Sequence, residues 1–289
     1  MTSDEVQALA GAPGTTDPGA PARARRPRRM DLMTAIPRTW TLSLGVAGFA
    51  TVLAVWSVVT YTGWVEPFFL PSPSDVGRAF YTLVVDFGFL QDIGASAFRI
   101  LVGFALAAVL AVPIGIAMGS LRVVQAFLEP LIAAARYMPA TAFISLLIIW
   151  MGIGEAEKAG LIFIGVFFPL CLIVADAASA TPKDYLSASY TLGASRKRAF
   201  FHVLLPATMP QVVDLLRIAS GWAWTYVVVA ELVAAQSGIG YVILSAGRFL
   251  RTDQVIAGVL TIGVLGLITD LFFRTLYARL FPYAERIAR

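Results

Sequence analysis

Charge is scarce in this chain. Only 14% of its 289 residues are Asp, Glu, Lys or Arg, against about 25% in soluble domains. A further 58% are hydrophobic, and the mean hydropathy is +0.77. That composition excludes an ordinary soluble domain and leaves an integral membrane protein, of a length for one membrane domain. Cysteine is nearly absent. Cys171 stands alone in an apolar run, so no intrachain disulfide can close, and such a thiol behaves as a small hydrophobe. The single histidine, His202, reads as a polar-face residue, and without a Cys/His cluster no metal or haem site is expected. No G-x-x-x-x-G-K-S/T phosphate loop occurs, so no nucleotide is bound by that route, and no cofactor is expected in this chain. Catalysis within the membrane would need a convergent set of reactive side chains. Arg136, Glu231 and Asp270 lie instead in different apolar runs.

What is present is a series of apolar runs. Thr41 to Thr60 carries no charge and is long enough, at roughly 1.5 Å per residue, to cross about 30 Å of hydrocarbon. It reads as an uncleaved first span. Five further candidates follow: Leu101 to Ser120, Leu131 to Gly154 (with Arg136), Ala159 to Ala175, Ile218 to about Ala234 (with Glu231) and Val255 to Phe273 (with Asp270). The expectation is an all-α membrane protein of about six transmembrane helices, spanning residues 39–289.

Residues 1 to about 38 are rich in Ala, Pro, Gly, Thr and Arg without apolar periodicity, as in a disordered tail. Their run Arg23, Arg25, Arg26, Arg28 and Arg29 reads as a topogenic signal holding the N-terminus in the cytoplasm. With six spans both termini are then cytoplasmic. Fifteen of the 22 Lys/Arg residues fall on that side, against Arg78, Lys158, Arg248 and Arg251 on the other. This asymmetry supports the orientation and accounts for a pI near 9.4 without nucleic acid. In the first external loop, Leu70-Pro71-Ser72-Pro73-Ser74 places Ser74 to cap an amphipathic helix from Asp75 toward Val85. That helix is either a connector or a docking element.

A polar island, Ala177 to Pro210, interrupts the apolar pattern. Thr181-Pro182-Lys183-Asp184 predicts a helix start, with Thr181 as the cap and Asp184 completing a capping box. Gly193 predicts its left-handed end. Ser195 then caps a second helix through about Leu205, which Pro206 and Pro210 stop. The result is a helical hairpin, with Tyr185, Leu186 and Leu192 as apolar knobs and Arg196, Lys197 and Arg198 beside them.

The island resembles the cytoplasmic EAA loop of ATP-binding-cassette (ABC) importer permeases. The pattern is Glu-Ala-Ala, three residues, Gly, nine residues, then Ile-x-Leu-Pro. This chain has Ser187-Ala188-Ser189, Gly193 and Val203-Leu204-Leu205-Pro206, with Ser187 in place of the glutamate. The resemblance runs from LPSPSDV at Leu70 to the C-terminus. It includes RYMPATAFI (from Arg136), WMGIGEAEK (from Trp150), VVVAELVAAQSGIGY (from Val227) and FLRTDQV (from Phe249). Together these resemble the permeases for nitrate, taurine, aliphatic sulfonates, bicarbonate and related small molecules.

The resemblance implies a type I ABC importer permease fold in the plasma (inner) membrane. It implies a second permease chain, taken as a copy of this one, two cytoplasmic ATP-binding subunits that hold ATP and Mg, and an extracytoplasmic substrate-binding protein. Tyr185, Ser187, Ala188, Ser189, Leu192, Gly193, Ala194, Ser195, Arg196, Leu205 and Pro206 become candidate ATPase-coupling residues. Intramembrane charges are functional hypotheses by default. Arg136 either meets a passing anion, with Pro139 and Thr141 lining the path, or pairs with Glu129 one heptad earlier. Glu231 either gates the external mouth or pairs with an arginine such as Arg248. Asp270 and Arg274 are spaced as a local pair. Trp222, Trp224 and Tyr226 could anchor in lipid, pack, or line a pore.

Overall fold

A computed structural model describes residues 38–282, and every regular element among them is helical. The expectation of a disordered tail at 1 to about 38 falls essentially outside those residues. The chain divides into two units, Met1–Val52 and Leu53–Arg289. The described part of the first is the leading stretch of α1 (Arg38–Tyr61). In the second follow α2 (Pro73–Asp86), α3 (Phe89–Ser120), α4 (Arg122–Arg136), a 3-10 turn (Ala140–Phe143), α5 (Ile144–Met151) and α6 (Glu155–Ser179). Then come α7 (Lys183–Thr191), α8 (Arg196–Ala199), a π turn (Phe200–Leu204), α9 (Leu205–Ala234), α10 (Ile239–Arg248) and α11 (Thr252–Leu280).

Among the described residues, five helical stretches are long and apolar enough to cross a membrane, and six if the bent pair α4 and Ala140–Met151 counts as one span. The count matches the expectation, but the third span is not the straight rod read from Leu131 to Gly154. It is broken at Tyr137–Pro139 and bent by 85°. The cause is local. Proline disfavours the helical conformation in the residue before it, and Pro139 sits at φ −59°, ψ 124°.

The core is built on α3 and α6. Gly103, Ala107, Ala111, Gly115 and Gly119 recur every four residues along one face of α3, a small-residue stripe that lets helices approach closely in lipid. A Cβ on Gly103 would lie 2.8 Å from the Ala159 carbonyl, and one on Gly115 2.7 Å from that of Cys171. The two helices therefore run parallel. Antiparallel α9 closes the bundle: Tyr226 lies over Gly165, and Thr208 meets Thr181 at 3.0 Å between hydroxyls. Trp224 and Tyr226 are thus packing residues, and the Trp224 indole donates to Thr269 Oγ1 of α11 at 3.1 Å. Gly115→Leu should force α3 from α6 and leave no monodisperse protein after detergent extraction. Gly263→Leu, where a Cβ would meet nothing within 4 Å, should purify normally.

The cap of α2 differs from the sequence expectation. Ser72, not Ser74, caps α2: its Oγ accepts the Asp75 N–H at 3.3 Å, and Pro73 takes the first turn. Ser74 instead accepts the Tyr61 hydroxyl at 2.9 Å. Val76, Ala79 and Leu83 are the buried side of this helix.

Candidate functional site

The hairpin lies at the C-terminal end of α3 and α6. Its first helix, α7, starts at Lys183 with no side-chain cap. Thr181 is spent on Thr208, so the expected capping box does not form. That exchange ties the hairpin's root to the start of α9.

The far end of α7 is as expected. Gly193 has φ +81°. Its N–H donates to the Tyr190 carbonyl, and the Ala194 N–H reaches back to Ser189, each at 2.9 Å. These two bonds form the Schellman closure. Ser195 caps α8, with its Oγ accepting from the Arg198 N–H at 3.5 Å.

Pro206 and Pro210 do not stop the second helix. It continues through the π turn Phe200–Leu204 into α9, with Pro206 in the first turn and Pro210 inside. Leu205 N–H donates to Phe200 five residues back. Widening the turn in this way gives room where proline's ring and missing N–H would otherwise disrupt a regular helix. The hairpin's second helix thus runs unbroken into the longest candidate span, Arg196–Val233.

Its outer surface is mixed. Leu192 is 88% exposed, and Tyr185, Ser187, Ala188, Arg196 and Pro206 are also exposed. Ala194 and Leu205 are half-buried, and Ser189 is buried with its hydroxyl donating to the Leu186 carbonyl. Leu186 packs on the core and is not a free knob. His202 is exposed on the π turn.

The break between α4 and α5 exposes Arg136, Pro139 and Thr141 together. Arg136 makes no ion pair with Glu129. Its guanidinium lies 5.0 Å from the Tyr137 ring centroid and donates to the Tyr137 hydroxyl at 3.2 Å. Exposed Tyr137 and Met138 complete the turn.

Glu231 is buried, unlike these three. Its carboxylate is buried against Arg99, not Arg248, at the end of the bundle opposite the hairpin. Arg99 is 2% exposed, and all five of its N–H donors are used. Nε and Nη2 grip Glu155 at 2.6 Å each. Nη1 reaches Glu231 at 2.7 Å and the Ser237 carbonyl at 2.8 Å, and Nη2 also reaches Ser237 Oγ at 3.0 Å. Ser96 Oγ and the Gly240 N–H donate to Glu231, and Asp92 accepts the Gly238 N–H. One guanidinium thereby joins α3, α6, α9 and the α9–α10 turn. Beside it Glu157 is buried with no hydrogen bond to its carboxylate, and Lys158 Nζ lies 3.6 Å away.

Near the hairpin end Asp270 does pair with Arg274, at 2.6 Å. Arg217 joins Asp270 from α9 at 2.9 Å. Arg99 lies just before the apolar run Leu101 to Ser120, and its partner Glu231 is 132 positions away, beyond any spacing rule.

Residues 111–282 match the model of the family described as binding-protein-dependent transport system inner membrane component. This chain belongs to that family. The taurine transport system permease protein TauC of Escherichia coli (strain K12) is 35% identical over 261 residues, covering 89% of this chain and 94% of that protein. The putative aliphatic sulfonates transport permease protein SsuC of Bacillus subtilis (strain 168) is 32% identical, over 81% of this chain and 85% of that one. The nitrate import permease protein NrtB of Synechocystis sp. is 30% identical, over 82% and 88%. In fold, the permease is similar to a chain of the MetNI methionine ABC transporter in an inward-facing conformation. The TM-score is 0.60 at 17% identity, over 66% of this chain and 95% of that chain. The protein is therefore an ABC importer permease of the inner membrane, a transport subunit and not itself an enzyme.

Proposed function

We propose that this permease, paired with a second copy, forms the path for a small anion and is driven through the hairpin by a separate ATPase. The observation that carries the reading is the hairpin's construction. Its turn is locked by Gly193, its root is tied by Thr181 to Thr208, and it runs without interruption into α9. A rigid lever of this kind transmits force, whereas a slack loop would not. ATP and Mg belong to the ATPase, and the basic hairpin end faces the cytoplasm, in keeping with the positive-inside rule. The opposite end then receives solute from an extracytoplasmic binding protein. Closure of two ATPases would move the hairpins and shift the spans between two discrete states.

An anionic solute is supported by Arg136, a cation exposed at a break in a membrane span and without a carboxylate partner among the described residues. Taurine, sulfonates and nitrate in the relatives' names agree with it. Pro139 and Thr141 flank the same opening. Glu231, held by Arg99, is a support of the bundle in this reading.

The test is uptake of labelled taurine, an alkanesulfonate and nitrate into proteoliposomes holding the complete complex. Arg136→Gln should raise KM for the transported anion about tenfold, equivalent to ~1.4 kcal/mol, with normal recovery of the ATPase. Unchanged KM, or a complex that no longer assembles, would remove Arg136 from the path.

A further inference from the structure

The Arg99 network has two unequal halves. Glu231 has a side chain 0% exposed, whereas the Glu155 side chain is 58% exposed. Glu231 takes further bonds from Ser96 and Gly240, while Glu155 has hydrogen bonds only from Arg99 among the described residues. Glu155 also sits where the chain has room. It follows the turn Gly152-Ile153-Gly154, in which Gly152 has φ +76° and a Cβ on either glycine would meet nothing within 4 Å.

The segment before that turn, α5, is an arm. Pro139 breaks the chain at its start and Gly152 at its end. Only Ile144 and Leu147 are buried, and they pack with Ala140, Leu161 and Ala230 in a cluster separate from the main core. Ile149, Trp150 and Ile153 are exposed. The α5 helix itself carries no charge, so Glu155, just past the turn, provides the ionic tie nearest the arm.

We propose that the Arg99–Glu155 pair is a releasable latch. Glu231 and Ser237 keep Arg99 fixed in the bundle, and Glu155 is a positioning residue that acts through Arg99 to hold the α5 arm. Release of Glu155 frees the arm to move between its two breaks while α3, α6 and α9 stay joined. Because the arm begins beside Arg136, its release changes the shape of the path proposed above, and the functional part of the inference rests on that reading.

Two measurements separate the latch from that reading. Hydrogen–deuterium exchange on the purified full-length chain in nanodiscs requires no ATPase, binding protein or solute. Glu155→Gln should speed exchange in residues 144–156 at least about fivefold and leave 222–234 unchanged. Glu155→Asp, which keeps the carboxylate, should restore most of the protection. No change in 144–156, or an equal rise in both segments, overturns the latch. In the reconstituted complex, Glu155→Gln should then raise ATP hydrolysis without binding protein about threefold and lower solute moved per ATP. Wild-type values for both, alongside the expected exchange result, would overturn the latch's part in transport.

Discussion

Gly193→Pro is expected to leave this permease in the membrane and strip it of its ATPase. Gly193 stands at φ +81° and donates its N–H to Tyr190. Proline fixes φ near −65° and has no N–H, so neither the left-handed turn nor that bond can form. The Ala194 to Ser189 bond goes with them, and α7 loses its fixed angle to α8. The spans are untouched, because a Cβ at Gly193 would meet nothing within 4 Å. Membrane yield should stay within about twofold of wild type. Co-purified ATPase and solute uptake should both fall below about a tenth. Gly193→Ala, with a smaller conformational penalty of about 1 kcal/mol, should lose only part of each. Full ATPase recovery with the proline variant would mean that the hairpin is not the coupling element.

The second large effect is expected at Arg99. Arg99→Met removes the cation that pairs with buried Glu231 among the described residues. Breaking a buried pair from one side costs about 3–5 kcal/mol, because the remaining charge stays desolvated. The protein in detergent should lose about 10 °C of thermal midpoint, at roughly 2–4 °C per kcal/mol for chains of similar size. Glu231→Leu added to Arg99→Met should recover a large part of that loss, since an apolar replacement of both partners removes the stranded charge. A single variant as stable as wild type would mean that the network contributes nothing to the bundle.

Features set by neighbours along the chain were legible in the sequence. The apolar runs, the left-handed Gly193 and the Ser195 cap each depend on a few consecutive residues, as does the Asp270–Arg274 pair. Hydropathy has no direction, so it read Leu131 to Gly154 as one rod. The Pro139 break has a local cause, since proline disfavours helix in the residue before it. In Ser72-Pro73-Ser74 two serines competed for one cap, and a proline in the first turn favours the residue before it. Other features had no local signal. Thr181 prefers a hydroxyl 27 residues away to its own helix, and the π turn that lets Pro206 continue a helix is a property of the whole junction. The clearest gap was Glu231. The sequence offered Arg248 because it is near, whereas the fold presents Arg99, which no spacing rule connects to it.

The central claim is that this chain converts the work of a separate ATPase into movement of its spans. The most direct measurement is ATP hydrolysis by the purified complex in nanodiscs, with and without the solute-loaded binding protein, for the wild type and Gly193→Pro. The account predicts a stable complex whose hydrolysis rises at least about fivefold with loaded binding protein, and no such complex from the variant. A chain that purifies alone, or that moves solute without any ATPase, would contradict it and leave a stand-alone channel or carrier as the reading to pursue.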